Sequence, residues 1–127
     1  MSLILIVEDD PDFSEGLVVF LRNKGFKPCA VRSGEEALEW LASHSPALVI
    51  TDLLLPGMDG AEMCRAIRSA PSGGKVPIIM LTSMTRMGVS ITQRDATWAP
   101  IDKFMDKAAA PEQVLEAVEA LLNPSPE

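Results

Sequence analysis

Apolar residues in this chain follow two rhythms that alternate from one end to the other. The first is a continuous run, Leu3–Val7 (LILIV), with no polar position in it. Such a run predicts a strand covered on both faces. The second rhythm starts at Asp10-Pro11, a capping residue followed by proline at the first helical position. Phe13, Leu17, Phe20 and Leu21 then recur at helical spacing, and Gly25 marks the stop. The exchange repeats along the chain. Residues 27–31 predict a short strand. Ser33 and Glu36 fit a capping box, and Ala37, Leu38 and Leu41 give the next helix its apolar stripe. Residues 47–51 (ALVIT) are a third strand that ends at Asp52. A Pro56-Gly57 turn follows, and Met63, Ile67 and Ala70 mark a third helix. Residues 71–74 (PSGG) are a loop. Residues 76–81 (VPIIML) predict a fourth strand, with Pro77 near its start where a missing N–H does least harm. Residues 101–105 predict a short fifth strand. Pro111 opens a last helix along Val114, Leu115, Val118, Leu121 and Leu122, which Pro124-Ser125-Pro126 closes. In 84–100, which is rich in Thr, Ser and Arg, only Met87 and Ile91 suggest a helical face. A helix there is expected to be short, shifted or frayed.

Strands and helices in strict alternation imply a parallel sheet with helices on both faces. A length of 127 residues allows one domain, read as 1–127 with 84–100 atypical and 123–127 a tail or linker. With 47% hydrophobic residues the chain can build a core. Eighteen acids against eleven bases give a net charge of −7, which argues against direct nucleic-acid binding. The apolar runs are too short to cross a membrane, and no cationic segment with an apolar follow-on reads as a signal peptide. Cys29 and Cys64 lack metal spacing and are too few for a disulfide scaffold. A cytoplasmic location is therefore expected.

In an open α/β sheet, ligands bind beyond the carboxyl ends of the strands. Here those ends carry Glu8-Asp9-Asp10, Asp52, Thr82-Ser83 and Lys107. Crowded carboxylates repel, so they raise their pKa values or recruit a cation. A few hard oxygen ligands suit Mg²⁺. A lysine and a hydroxyl facing them suit a phosphoryl group.

The segments LILIVEDDP, LVITDLLLPGMDG, VPIIMLTS and FMDK, in this order and spacing, resemble the receiver domain of two-component response regulators over nearly the whole chain. That resemblance implies a flavodoxin-like (βα)5 doubly wound fold with five parallel strands in the order 2-1-3-4-5. It implies that Asp52 accepts a phosphoryl group from the phosphohistidine of a sensor kinase or phosphotransfer protein. It implies Mg²⁺, or Mn²⁺ in its place, held by Asp9, Asp52 and the backbone carbonyl of Leu54, with Glu8 acting through water. It assigns phosphate contacts to Lys107, Thr82 and the Ser83 backbone, and a switch to Thr82 and Phe104. The chain would then be a signalling switch whose only chemistry is self-catalysed phosphoryl transfer and slow self-dephosphorylation. Its partners would be the kinase and a downstream protein or a separate output domain, with a homodimer as a further option.

The chain departs from that family at several places. Ala108 follows Lys107 where the family usually has proline after a cis bond; cis geometry is expected to be retained, at about 3–4 kcal/mol. The stretch from Thr82 to Lys107 is longer than usual. Trp98 within it reads equally as a partner anchor or a residue folded back on the sheet. Leu54 and Met84 flank the path of the water that hydrolyses the phosphoaspartate. Both are bulky and apolar, so a long-lived phosphoaspartate is expected. Ala110 is a poor N-cap before Pro111. Phe104 reads equally as core. His44 reads as a solvated helix-end residue rather than a phosphorelay histidine. Two other functions compete with the switch. One is a receiver-like docking module that works without phosphorylation. The weaker is a Mg²⁺-dependent phosphohydrolase, which would want an acid where Leu54 stands. A flavodoxin-like cofactor protein would want a glycine-rich loop where Glu8-Asp9-Asp10 would repel an anion.

Overall fold

The LILIV run folds as β1 (Leu3–Val7), hydrogen-bonded on one side to β2 (Lys27–Val31) and on the other to β3 (Leu48–Thr51). A computed structural model describes residues 2–70, 75–83 and 101–123. Beyond β3 lie β4 (Ile78–Thr82) and β5 (Lys103–Asp106), and all four pairings are parallel, in the order β2-β1-β3-β4-β5. The fold class implied by the resemblance is the observed one. The helices among the described residues are α1 (Pro11–Asn23), α2 (Gly34–Leu41), α3 (Gly60–Ser69) and α4 (Pro111–Leu122). The expectations for 84–100, Trp98 and Met84 lie outside the described residues.

The period of two along each strand builds two cores. Leu5, Val7, Val49, Ile78 and Met80 face one side, where Ala37 of α2 and Ala61, Met63, Cys64 and Ile67 of α3 cover them. Ile4, Ile6, Leu48, Ile50, Ile79 and Leu81 face the other, under Leu17 and Leu21 of α1 and Val114 and Val118 of α4. Burying a side chain of this size stabilises by roughly 1.5–3 kcal/mol. β1, β3 and β4 are covered on both sides, which is why their sequences contain so few polar residues.

The helix ends follow the local chemistry. The Asp10 carboxylate accepts the Asp12 N–H ahead of α1, Ser33 Oγ accepts the Glu36 N–H ahead of α2, and Asp59 accepts the Glu62 N–H ahead of α3. Ala110 has no side chain to cap with, and Gln113 Oε1 instead accepts the Ala110 N–H at 3.0 Å. At the end of α2 His44 is exposed; its Nδ1 lies 2.9 Å from the Trp40 carbonyl oxygen and its ring stacks on Trp40.

Three expectations need correction. The fourth strand runs Ile78–Thr82 rather than 76–81. The fifth strand starts at Lys103, not at 101, because the Asp102 carboxylate takes the Ile78 N–H that a strand residue would otherwise meet. The Lys107–Ala108 bond is trans. Ala108, unlike proline, keeps its N–H, and the Asp106 carboxylate accepts it at 2.9 Å, so the chain turns without a cis bond.

Candidate functional site

Because every strand is parallel, all five carboxyl ends lie on one rim. β1 runs directly into Glu8, whose N–H donates to the Val31 carbonyl of β2. β3 runs into Asp52, whose N–H donates to the Val7 carbonyl. The ladder thus carries both acids one residue past their strands. Glu8 and Asp52 are buried and Asp9 is exposed, and one carboxylate oxygen of each lies within 4.8 Å of the others.

Lys107 reaches this cluster from the far side. Its N–H donates to the Thr82 carbonyl at 3.0 Å, which continues the β4–β5 ladder. Its ammonium lies 2.8 Å from Glu8 Oε1, 3.0 Å from Asp52 Oδ2, and 4.8 Å from the centre of the Phe13 ring. The trans bond therefore leaves Lys107 on the acidic rim. The expectation of a cis bond fails, while the placement that the bond was meant to secure survives.

The electrostatics are unbalanced. Three carboxylates face one ammonium. Burial pushes the Glu8 carboxyl above its usual range and the Asp52 charge adds to the push, against hydrogen bonds from Lys107 and from the Asp10 N–H. Burial works against the Lys107 ammonium. Its hydrogen bonds to Glu8 and Asp52, and their charges, outweigh that and raise its pKa. Hard oxygen donors with an excess of two negative charges fit a divalent cation such as Mg²⁺.

The Asp52 backbone is held closely. Asp52 Oδ1 accepts the Leu54 N–H at 3.3 Å, and the Thr51 hydroxyl donates to the Asp52 carbonyl. Gly60, the first residue of α3, packs against that carbonyl; a Cβ there would stand 2.2 Å from the Asp52 oxygen. Thr82 ends β4 fully buried, and its Oγ1 has no hydrogen-bond partner among the described residues. Ser83 follows it, half-buried. Leu54 is 41% exposed beside Asp52. Phe104, half-buried on β5, packs against the core beneath α2 and α3.

The structure thus brings Glu8, Asp9, Asp52 and Lys107 together, with Leu54, Thr82 and Ser83 on the same rim and Phe104 within the neighbouring strand. Sequence reasoning missed three contributors. Phe13 reads as helix stripe, yet its ring faces the lysine. Gly60 closes an Asp-Gly pair, a signal for close backbone approach. Asp106 sits two residues before an N–H that family proline would lack, which is an Asx-turn signal.

The family model described as response regulator receiver domain matches residues 4–119. The DNA-binding response regulator MtrA of Mycolicibacterium smegmatis is 46% identical over 82 residues, which cover 65% of this chain and 35% of that protein. The response regulator MprA of Mycolicibacterium vanbaalenii is 34% identical over 119 residues, covering 94% of this chain and 49% of that protein. The chain therefore spans about a third to a half of the length of these curated relatives. Among solved structures, the signal receiver domain of a signal transduction histidine kinase from Syntrophus aciditrophicus superposes with a TM-score of 0.84 at 32% identity, covering 100% of this chain and 94% of that one.

Proposed function

This chain belongs to the response regulator receiver domain family, and from that premise we propose that Asp52 is its phosphoacceptor. Receiver domains are signalling proteins that work between histidine kinases and output domains, and they generally bind Mg²⁺ at an acidic site. Residues 1–127 are read as one such unit, with a sensor kinase or phosphotransfer protein as donor and a downstream protein or an output domain as target. No helix among the described residues is long and apolar enough to cross a membrane. A cytoplasmic location goes with the donor proposed.

The observation that carries the proposal is the convergence of Glu8, Asp9, Asp52 and Lys107 on one rim. Asp9, Asp52 and the Leu54 carbonyl would hold Mg²⁺ or Mn²⁺, with Glu8 acting through water. The metal would supply charge neutralisation at the phosphoryl group. The chain's residues do the rest. Asp52 Oδ bonds to phosphorus as the donor's P–N bond breaks, and the backbone around it, fixed by Val7, Thr51 and Gly60, holds the nucleophile in line. Lys107, freed from one carboxylate, holds a phosphoryl oxygen. The Ser83 backbone N–H lies on the same rim for a second contact. The Thr82 hydroxyl has no partner to give up among the described residues, so turning toward a new acceptor is favourable. That motion, with Phe104 following, biases a two-state equilibrium.

Dephosphorylation is the second part of the proposal. Leu54 offers attacking water no hydrogen bond, so the phosphoaspartate is long-lived; Leu54→Asn, combined with Met84→Glu, shortens its lifetime. The primary test is intact mass after incubation with a small phosphodonor and Mg²⁺. Gain of one phosphoryl group that requires both Asp52 and metal is the expected result. No gain in the unaltered chain, with Mg²⁺ still bound, would replace the switch with a docking module.

A further inference from the structure

We propose that Asp106 is a positioning residue for Lys107, and thus for phosphoryl transfer to Asp52. The inference rests on the phosphoacceptor reading above and adds a residue that the reading does not use.

Lys107 must do two things at once. Its backbone closes the β4–β5 ladder at Thr82, and its side chain must leave that ladder toward Glu8 and Asp52. The chain then has only three residues, Ala108 to Ala110, in which to turn into α4. In this family proline with a cis bond usually shapes that turn, and here the bond is trans. The turn is held by Asp106 instead. Its Oδ1 accepts the Ala108 N–H at 2.9 Å, and its carbonyl accepts the Ala109 N–H at 2.9 Å. An aspartate that accepts the N–H two residues on is an Asx-turn, a side chain doing the work of a backbone turn.

The two features depend on each other. A proline at 108 has no N–H, so the Asp106 carboxylate would have nothing to hold. An alanine at 108 without that carboxylate would leave the turn closed by one hydrogen bond only. Lys107 is pinned between the Thr82 carbonyl on its amino side and the Asx-turn on its carboxyl side. Removing the second pin frees φ and ψ of Lys107 together, and rotation about φ re-aims its side chain, which carries the ammonium off two buried acids. Asp106 pairs with Thr82 across the ladder, so the same turn borders the Thr82 hydroxyl.

The test uses the 127-residue chain with Mg²⁺ and a small phosphodonor, following phosphoryl gain by intact mass against donor concentration. Asp106→Ala is expected to lower the maximal rate by about tenfold and to leave the half-saturating donor concentration unchanged. Asp106→Asn keeps the acceptor oxygen and stays within roughly threefold of the unaltered chain. In an Ala108→Pro background, where the N–H is gone, Asp106→Ala adds nothing. A second readout needs no phosphoryl transfer: ¹⁵N NMR of the Lys107 ammonium in the metal-free chain. Its protons exchange slowly in the unaltered and Asp106→Asn chains and fast in Asp106→Ala. Thermal melting of each variant shows which chains are folded, and if Asp106→Ala is not, the Asn and Ala108→Pro chains decide by the same two readouts. The proposal is overturned if Asp106→Ala matches the unaltered chain, if Asp106→Asn is as slow as Asp106→Ala, or if the Ala108→Pro background leaves the Asp106→Ala effect intact. Should no chain gain phosphate, the phosphoacceptor reading falls, and the ammonium exchange alone decides the role of Asp106.

Discussion

The two ends of the sheet each carry an ion pair, and the pairs are built to opposite rules. At the amino ends of β4 and β5, Arg68 of α3 meets Asp102 at 3.0 Å, and the guanidinium also donates to the Val76 carbonyl. Asp102 in turn accepts the Ile78 N–H at 2.8 Å. One cation meets one anion, and the carboxylate and guanidinium both have backbone partners. At the carboxyl ends one ammonium serves two buried acids, a third acid stands beside them, and a buried hydroxyl has no partner among the described residues. The amino end is satisfied by the chain alone. The carboxyl end is left with more negative than positive charge. The sheet thus keeps its unbalanced charges at the carboxyl ends of its strands and its matched polar contacts at the amino ends of β4 and β5.

The largest expected effect tests whether the rim is loose because it is frustrated, or tightly packed beneath its charges. Gly60→Ala would put a Cβ 2.2 Å from the Asp52 carbonyl and 2.8 Å from Leu53 Cα, against backbone that cannot swing away. It should cost about 3 kcal/mol of stability or more in urea unfolding. Gly16→Ala is the control, since a Cβ there meets nothing within 4 Å in the middle of α1. It should stabilise by up to ~1 kcal/mol. A mild Gly60→Ala would mean that the Asp52 backbone has slack, and the claim of a fixed nucleophile would go with it.

Exchanging the two ion pairs is the next test. Lys107→Met should slow phosphoryl gain by roughly 10²-fold and also destabilise the metal-free chain, because it leaves two buried carboxylates without their cation. Asp102→Ala should affect stability alone. It strands the Ile78 N–H and costs about 1–2 kcal/mol, with phosphoryl gain unchanged. If Asp102→Ala slowed the reaction as much as Lys107→Met, the two ends would not be separable.

This division bears on what could be read in advance. The satisfied parts of the fold follow local rules. LILIV, ALVIT and VPIIML announced their strands by composition, and Asp10 and Ser33 fixed helix starts through hydrogen bonds to N–H groups two or three residues on. The rim acids were legible too, because parallel strands bring their ends together whatever the details. What failed was set by partners distant in sequence or by a substitution that changed a rule. β5 begins late because Asp102 answers Ile78, 24 positions earlier. The cis bond was expected from a family proline, and Ala108 both removed that reason and supplied an N–H for Asp106. The crowding at Gly60 and the ring beneath Lys107 exist only once α3 and α1 are docked.

A smaller effect separates the ends by pH. The Glu8 carboxyl is raised above its ordinary 4.5, so just above that value the folded chain holds a proton that the unfolded chain has lost. Its contribution to stability therefore falls as pH rises through the window from 4.5 to its folded value. Lys107 is raised above 10.5, so its contribution is full below that pH and is lost only as pH climbs through its folded value. In metal-free buffer, the stability of the unaltered chain relative to Glu8→Gln should decline as pH rises from 4.5 toward neutral. Mg²⁺ should reverse the trend, since it binds the ionised acids. A flat difference in metal-free buffer would mean that Glu8 is not strained by its burial.

The finest distinction concerns what holds Lys107 apart from the acids. Its ammonium stands 4.8 Å from the Phe13 ring centre, on the side of α1. A cation over an aromatic face gains about 0.5–1 kcal/mol at a partly exposed site. That attraction does not vanish when a phosphoryl group or a metal displaces Lys107 from one carboxylate, so the ring can keep the ammonium near the rim throughout the reaction. Phe13→Leu keeps an apolar side chain on α1 and removes the ring with its quadrupole. It should slow phosphoryl gain two- to fivefold, within the span set by that energy. The added loss should disappear when Lys107 is already Met. A Phe13→Leu effect of equal size in both backgrounds would assign the ring to packing of α1 on the sheet. Lys107 would then be held by the acids and the Asp106 turn alone.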